Sequence, residues 1–122
     1  MEVLSGSAIG QAALEVLERD RATVPAHFDA EVYGVFRRRF REGLLPRARL
    51  DLLVIRLGSL VAERVGLRSL LAEAHVLADR ASAADAFYLA LARARDAELV
   101  TCDERLARGA AGLARIRLVT AR

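Results

Sequence analysis

The sequence of 122 residues contains one cysteine, Cys102, and no lysine. A single cysteine rules out an internal disulfide, and neither a CxxC pair nor a Cys/His zinc pattern is present. No secretory signal and no run of about 18 apolar residues occurs, so we expect a cytoplasmic protein that does not enter a membrane. The length is that of one domain, and we expect residues 1–122 to form a single unit.

Basic charge comes entirely from arginine, and 19 basic against 16 acidic residues give a formal net charge of +3. The planar guanidinium binds phosphate through paired hydrogen bonds, so Arg37, Arg38, Arg39 and Arg41 are candidates for contact with a nucleic acid. The alternative interpretation of these four residues is a solvated arginine face of a helix. A lysine-free chain rich in alanine, arginine and leucine is also typical of GC-rich coding. The charge alone therefore does not indicate a nucleic-acid partner.

Histidines and nucleotide-binding loops are scarce as well. His27 and His75 are the only histidines, and we interpret both as structural or surface groups. No P-loop, GxGxxG or GxSxG sequence occurs, so nucleotide cofactors and serine hydrolysis have no supporting motif. Carboxylates are the remaining candidates for chemistry.

Hydrophobic periodicity predicts helices and strands in alternation. The predicted helices cover residues 8–20, 28–41, 46–57, 67–78, 83–95 and 104–113, and the predicted strands cover 22–25, 61–65, 98–102 and 115–120. Strands separated by such helices predict βαβ units, which build a parallel sheet with helices on both faces. The opening Met1-Glu-Val-Leu-Ser-Gly instead predicts the end of a helix followed by a turn.

Three acidic residues lie beside predicted apolar surface. Glu31 lies at the edge of an apolar helix stripe, where it either points toward the sheet or balances neighbouring arginines. Asp85 follows Ser82 at the start of an apolar helix, so it is either a ligand or the acid of a capping box. Asp103 follows a strand and is either a ligand or the N-cap of the next helix.

Two neighbours of Asp103 point in different directions. Because side chains alternate along a strand, Thr101 and Asp103 share one face and Cys102 lies on the other. Thr101 either hydrogen-bonds a carboxylate or phosphate, or is simply a β-branched strand residue. We interpret Cys102 as a small core residue and not as a nucleophile.

Three segments taken together resemble the PIN-domain ribonucleases of bacterial toxin–antitoxin pairs, with VapC-like toxins as the nearest match. The segments are 24–39 around Glu31, 83–92 around Asp85 and 98–107 around Asp103. The resemblance covers essentially the whole chain in order and spacing.

This resemblance implies an α/β fold, a three-layer α/β/α sandwich with a mostly parallel central sheet. It implies that Glu31, Asp85 and Asp103 bind Mg²⁺ or Mn²⁺, supported by Thr101, in a site that cleaves RNA phosphodiester bonds. The implied partners are a cognate antitoxin and an RNA substrate, and the implied assembly is a homodimer. Hard carboxylate oxygens suit such a cation, which activates water and neutralises phosphate charge.

The amino-terminal end departs from the family pattern. Members begin with an apolar strand that ends in an Asp-Ala-Ser-like motif, whose aspartate binds metal, and this motif is missing here. We therefore expect the first strand to be absent and the domain to be incomplete at its amino end. Two functional hypotheses follow: a metal-dependent endoribonuclease toxin, or a catalytically silent PIN-like module that engages an antitoxin or RNA without cleaving it.

Overall fold

The computed structural model describes residues 2–4 and 22–119. Within them the strands are β1 Glu2–Leu4, β2 Ala22–Pro25, β3 Ala62–Val65, β4 Glu98–Thr101 and β5 Ile116–Leu118. They form one sheet in the order β3-β2-β1-β4-β5, and every neighbouring pair is parallel. The predicted α/β class with a parallel sheet is therefore confirmed.

The helices of the described residues follow the predicted order. They are α1 Phe28–Arg41, α2 Arg47–Gly58, a short 3₁₀ helix Leu67–Leu70, α3 Leu71–Val76, α4 Ala83–Ala94 and α5 Glu104–Gly109. The predicted helix 67–78 is thus a 3₁₀ turn followed by a shorter α-helix. The predicted helix 8–20 lies outside the described residues.

Glu2–Leu4 form strand β1, which corrects the expectation that the first strand is absent and that this segment ends a helix. Val3 lies opposite Thr23 of β2 and Leu99 of β4, so β1 is the central strand of the sheet. A three-residue strand is too short to show the alternating pattern by which strands are recognised. Its conformation is determined by partners on both sides that are distant in sequence.

The connections between strands place helices on both sides of the sheet. The connection from β2 to β3 contains α1 and α2, and it runs across the sheet in the opposite direction from the β4-to-β5 connection, which contains α5. Because crossovers between parallel strands are almost always right-handed, connections that run in opposite directions lie on opposite faces. This arrangement agrees with the predicted three layers.

Helix α1 forms because its apolar residues recur at helical spacing. Phe28, Val32, Val35 and Phe36 are all buried, as the periodicity predicts. The helix ends before Gly43, whose φ of +75° permits the chain to reverse at little steric cost. This packing fixes Glu31 at the edge of the buried stripe.

Helix α4 packs against β1, β2 and β4, the middle strands of the sheet. A helix that is apolar nearly all round is expected to be buried. Its buried residues are Asp85, Ala86, Tyr88, Leu89, Ala90, Leu91 and Ala92. Among the described helices, none is both long and apolar enough to cross a bilayer.

Candidate active site

Asp85 lies in the first turn of α4 with only 8% of its surface exposed. Its backbone N–H donates a hydrogen bond to Ser82 Oγ at 3.2 Å, so Ser82 is the N-cap of the helix. This bond uses the backbone of Asp85 and not its carboxylate. The capping and ligand interpretations of Asp85 are therefore compatible, and the buried carboxylate needs compensation for its lost hydration.

Glu31 points toward α4 and away from the arginine-rich face of α1. Its Oε1 accepts a hydrogen bond from the Tyr88 hydroxyl at 2.6 Å, and the Glu31 side chain is 24% exposed. Tyr88 lies one helical turn beyond Asp85 and is fully buried. Of the two sequence interpretations of Glu31, the structure shows the inward one.

His27 links α1 to α4. It is the N-cap residue of α1, and its Nε2 lies 3.1 Å from the carbonyl oxygen of Ala84 and 3.6 Å from Glu31 Oε1. Its ring centroid lies 4.8 Å from that of Tyr88 and 5.6 Å from that of Phe87. Nδ1 is buried with no hydrogen-bond partner in the described part of the chain. Because a carbonyl oxygen only accepts hydrogen bonds, Nε2 is the donor in the contact with Ala84.

Sequence reasoning missed the contribution of His27 and Tyr88 to this site. His27 and Glu31 are four residues apart, a spacing that brings side chains together on a helix, and this was the available signal. Tyr88 offered none, because an aromatic residue in an apolar helix is ordinary core. Its contact with Glu31 joins residues 57 positions apart.

Asp103 ends β4 and caps α5, as one of its two interpretations predicts. Its Oδ1 accepts hydrogen bonds from the backbone N–H groups of Arg105 at 2.9 Å and Leu106 at 3.3 Å. Thr101 is buried, and its Oγ1 accepts a hydrogen bond from the Asp103 N–H at 3.0 Å. Thr101 therefore shapes the turn that presents Asp103. Cys102 is half-buried and packs against the core, as expected.

Glu31 contacts Tyr88 of α4, Asp85 lies in the first turn of the same helix, and Asp103 follows β4, the strand next to β1. In the part of the chain that the structure describes, no three His, Cys, Asp or Glu side chains are grouped closely enough to hold a metal ion. The residue that follows β1 in the sequence is Ser5, which carries no carboxylate. The donor type still fits a hard divalent cation, because carboxylate oxygens are its preferred ligands and Asp85 is buried at this site.

Comparison with known proteins identifies the family. The PIN domain family model matches residues 1–112, which is most of the chain and includes β1. The chain belongs to the PIN domain family.

Two ribonucleases of Mycobacterium tuberculosis are similar in sequence to this chain. Ribonuclease VapC3 of Mycobacterium tuberculosis is 42% identical over 92 residues, which are 75% of this chain and 67% of the relative. Ribonuclease VapC12 of the same organism is 32% identical over 119 residues, which are 98% of this chain and 92% of the relative. The resemblance to VapC-like PIN-domain proteins is confirmed.

Proposed function

We propose that this protein is a metal-dependent endoribonuclease toxin of a toxin–antitoxin pair, which cleaves RNA phosphodiester bonds. The observation that carries the proposal is the burial of Asp85 in the first turn of α4, beside the helix contact that holds Glu31. A carboxylate buried at a helix start needs a partner that compensates for its lost hydration, and that partner serves either the function of the protein or its fold. The kinship to two ribonucleases supports the former.

The proposed cofactor is Mg²⁺ or Mn²⁺, held by Glu31, Asp85 and Asp103. When bound, such a cation supplies Lewis-acid activation of water and neutralises charge on the phosphate. Oδ1 of Asp103 already accepts the hydrogen bonds that cap α5, so we assign Oδ2 as the atom that binds the cation. Thr101 supports the site by fixing the backbone of Asp103, and the α4 N-cap fixes the turn that carries Asp85.

The proposed partners are a cognate antitoxin and an RNA substrate in the cytoplasm, and the proposed assembly is a homodimer. The arginines Arg37 and Arg38 on the exposed face of α1 suit phosphate contacts. Sedimentation equilibrium tests the assembly. We expect twice the chain mass of 13.3 kDa, and a single-chain mass at micromolar concentration would contradict the homodimer.

A silent PIN-like binding module is the second candidate, and two observations favour it. The described residues contain no group of three acids, and Ser5 follows the central strand where the family pattern implies an aspartate. Such a module would bind an antitoxin or RNA but would not hold its cation firmly.

RNA cleavage by the purified chain tests the two candidates. We expect cleavage with Mn²⁺ or Mg²⁺ that is lost with a chelator. Asp85→Asn should lower the rate of cleavage by at least about tenfold, because loss of a residue that only orients a metal ligand already costs about 10–100-fold. Asn keeps the shape of the side chain and the backbone N–H that donates to Ser82. Asp51→Asn, at an exposed acid on α2, is the matched control and should cleave normally.

The outcomes separate the candidates. Full activity in Asp85→Asn would overturn the site assignment. No cleavage by the wild type with either cation, together with retained RNA or antitoxin binding, would establish the silent module. In that case Ser5→Asp, which restores an acid directly after β1, should produce metal-dependent cleavage if the remaining carboxylates form a site.

A further inference from the structure

The orientation of Glu31 is determined by a residue of another helix. The Tyr88 hydroxyl donates to Glu31 Oε1 at 2.6 Å, a distance at the short end of the range for O–H···O bonds. A hydrogen bond to an ionised carboxylate is stronger than one between neutral groups. Tyr88 is fully buried, so its ring has little freedom to move away.

The position of Tyr88 is in turn fixed from α1. The His27 ring packs on the Tyr88 ring, and Nε2 of His27 lies within hydrogen-bond distance of the Ala84 carbonyl oxygen. We call His27, Glu31 and Tyr88 the glutamate clamp. The contacts of the clamp connect the start of α1 to the first turns of α4. The α4 residues that they involve, Ala84 and Tyr88, lie on either side of Asp85 in the sequence.

We propose that Tyr88 is a positioning residue that holds Glu31 in the orientation needed to bind the cation. By engaging Oε1, its hydroxyl fixes the carboxylate plane and leaves Oε2 to face the ligand. A carboxylate that is oriented in advance loses less freedom on binding, and partners of ligands commonly contribute to affinity in this way. The proposal rests on the proposed function, since it requires Glu31 to be a ligand. A purely structural role would require only that the buried hydroxyl find an acceptor.

Tyrosine fluorescence tests the clamp without RNA. The chain has no tryptophan and two tyrosines, and Tyr33 is 43% exposed. In a Tyr33→Phe background, Tyr88 is the only remaining tyrosine. Titration with Mg²⁺ alone should change its emission saturably, and Glu31→Gln in the same background should remove that change.

Metal affinity tests the positioning role directly. By calorimetry with Mg²⁺, Tyr88→Phe should raise Kd by about tenfold, at the lower end of the 10–100-fold effects measured for residues that orient ligands. Tyr33→Phe makes the same chemical change at an exposed position and should leave Kd unchanged. In RNA cleavage, Tyr88→Phe should lower kcat and leave KM unchanged.

A double variant distinguishes positioning from structure. If Tyr88 acts only through Glu31, Tyr88→Phe combined with Glu31→Gln should bind Mg²⁺ no more weakly than Glu31→Gln alone. Additive losses, or an unchanged Kd in Tyr88→Phe, would overturn the positioning role and leave the proposed function intact. A wild type that binds neither Mg²⁺ nor Mn²⁺ would overturn the metal-dependent function itself.

His27→Asn is the variant to use if Tyr88→Phe does not fold. It removes the ring that packs on Tyr88 and keeps a side chain able to cap α1, so it should raise the Kd for Mg²⁺ by less than about tenfold. An unchanged Kd in His27→Asn would overturn the clamp.

Discussion

Gly109, at the end of α5, is a residue whose missing side chain matters. A Cβ atom there would overlap the backbone carbonyl oxygen of Arg80. The Arg80 side chain also donates hydrogen bonds to the carbonyl oxygens of Gly109 at 3.0 Å and Ala111 at 3.2 Å. This close approach joins the segment before α4 to the end of α5, so it supports the elements that carry Asp85 and Asp103.

Two glycine-to-alanine changes should have opposite effects on stability. Gly109→Ala should lower the free energy of unfolding by about 1–3 kcal/mol, because the added methyl group forces the backbones apart. Gly34→Ala, on the exposed side of α1 with no neighbouring atom in contact range, should raise it by up to about 1 kcal/mol through helix propensity. Urea denaturation measures both. An unchanged free energy of unfolding in Gly109→Ala would show that the two backbones move apart at no cost.

At the scale of elements, an ion pair joins α1 to β3. The Arg64 guanidinium donates to Asp29 from Nε to Oδ2 at 2.7 Å and from Nη2 to Oδ1 at 2.9 Å. The hydrogen bonding from Arg64 holds the pKa of Asp29 below its ordinary value of 3.8, against the opposing effect of burial. The two side chains are 40% and 34% exposed, so solvent screens much of the attraction.

The Asp29 pair should make stability depend on pH in the acid range. Because the folded pKa is lowered, the stabilisation is fully present above the ordinary value of 3.8 and is lost as the pH falls through the folded pKa. Asp29→Asn should therefore cost about 0.5–1 kcal/mol near neutral pH, and the difference from wild type should shrink in stronger acid. Urea denaturation at several pH values measures this difference. A difference that does not vary with pH would contradict the ion-pair account.

Across the whole molecule, β1 holds the two halves of the sheet together. It bonds to β2 on one side and β4 on the other, so every backbone N–H of this strand faces a partner strand. The edge strand β5 is different. The Val119 N–H donates to the Thr101 carbonyl oxygen, and since consecutive N–H groups of a strand point to opposite sides, that of Leu118 faces away from β4.

Proline substitutions in these two strands should differ in effect. Val3→Pro removes a hydrogen bond from the centre of the sheet and should cost about 3 kcal/mol or more, enough to unfold a marginally stable domain. Leu118→Pro removes an N–H that faces away from β4, on a side where residues 2–4 and 22–119 contribute no further strand, and it should be tolerated. Circular dichroism and thermal melting compare them. A stable, fully folded Val3→Pro would contradict the central position of β1.

Local sequence determined the elements whose side chains repeat at a regular period. Helix α1 has the predicted bounds of 28–41, β2 has the predicted bounds of 22–25, and α4 ends one residue early. It also indicated Glu31, Asp85 and Asp103 as candidates, because an acid beside apolar surface is visible from adjacent residues alone. The caps at Ser82 and Asp103 were predictable for the same reason, since capping is a contact over two or three residues.

Only the tertiary structure decided the strand character of β1 and the contacts of Glu31. Three residues at the start of the chain carry no periodic pattern, and their conformation comes from pairing with Thr23 and Leu99. The Tyr88 hydroxyl meets Glu31 across 57 positions of sequence, through the packing of α4 against the start of α1. The physical reason is the same in both cases. These contacts form between residues that local propensity does not relate, and they become favourable only once the hydrophobic core has brought their elements together.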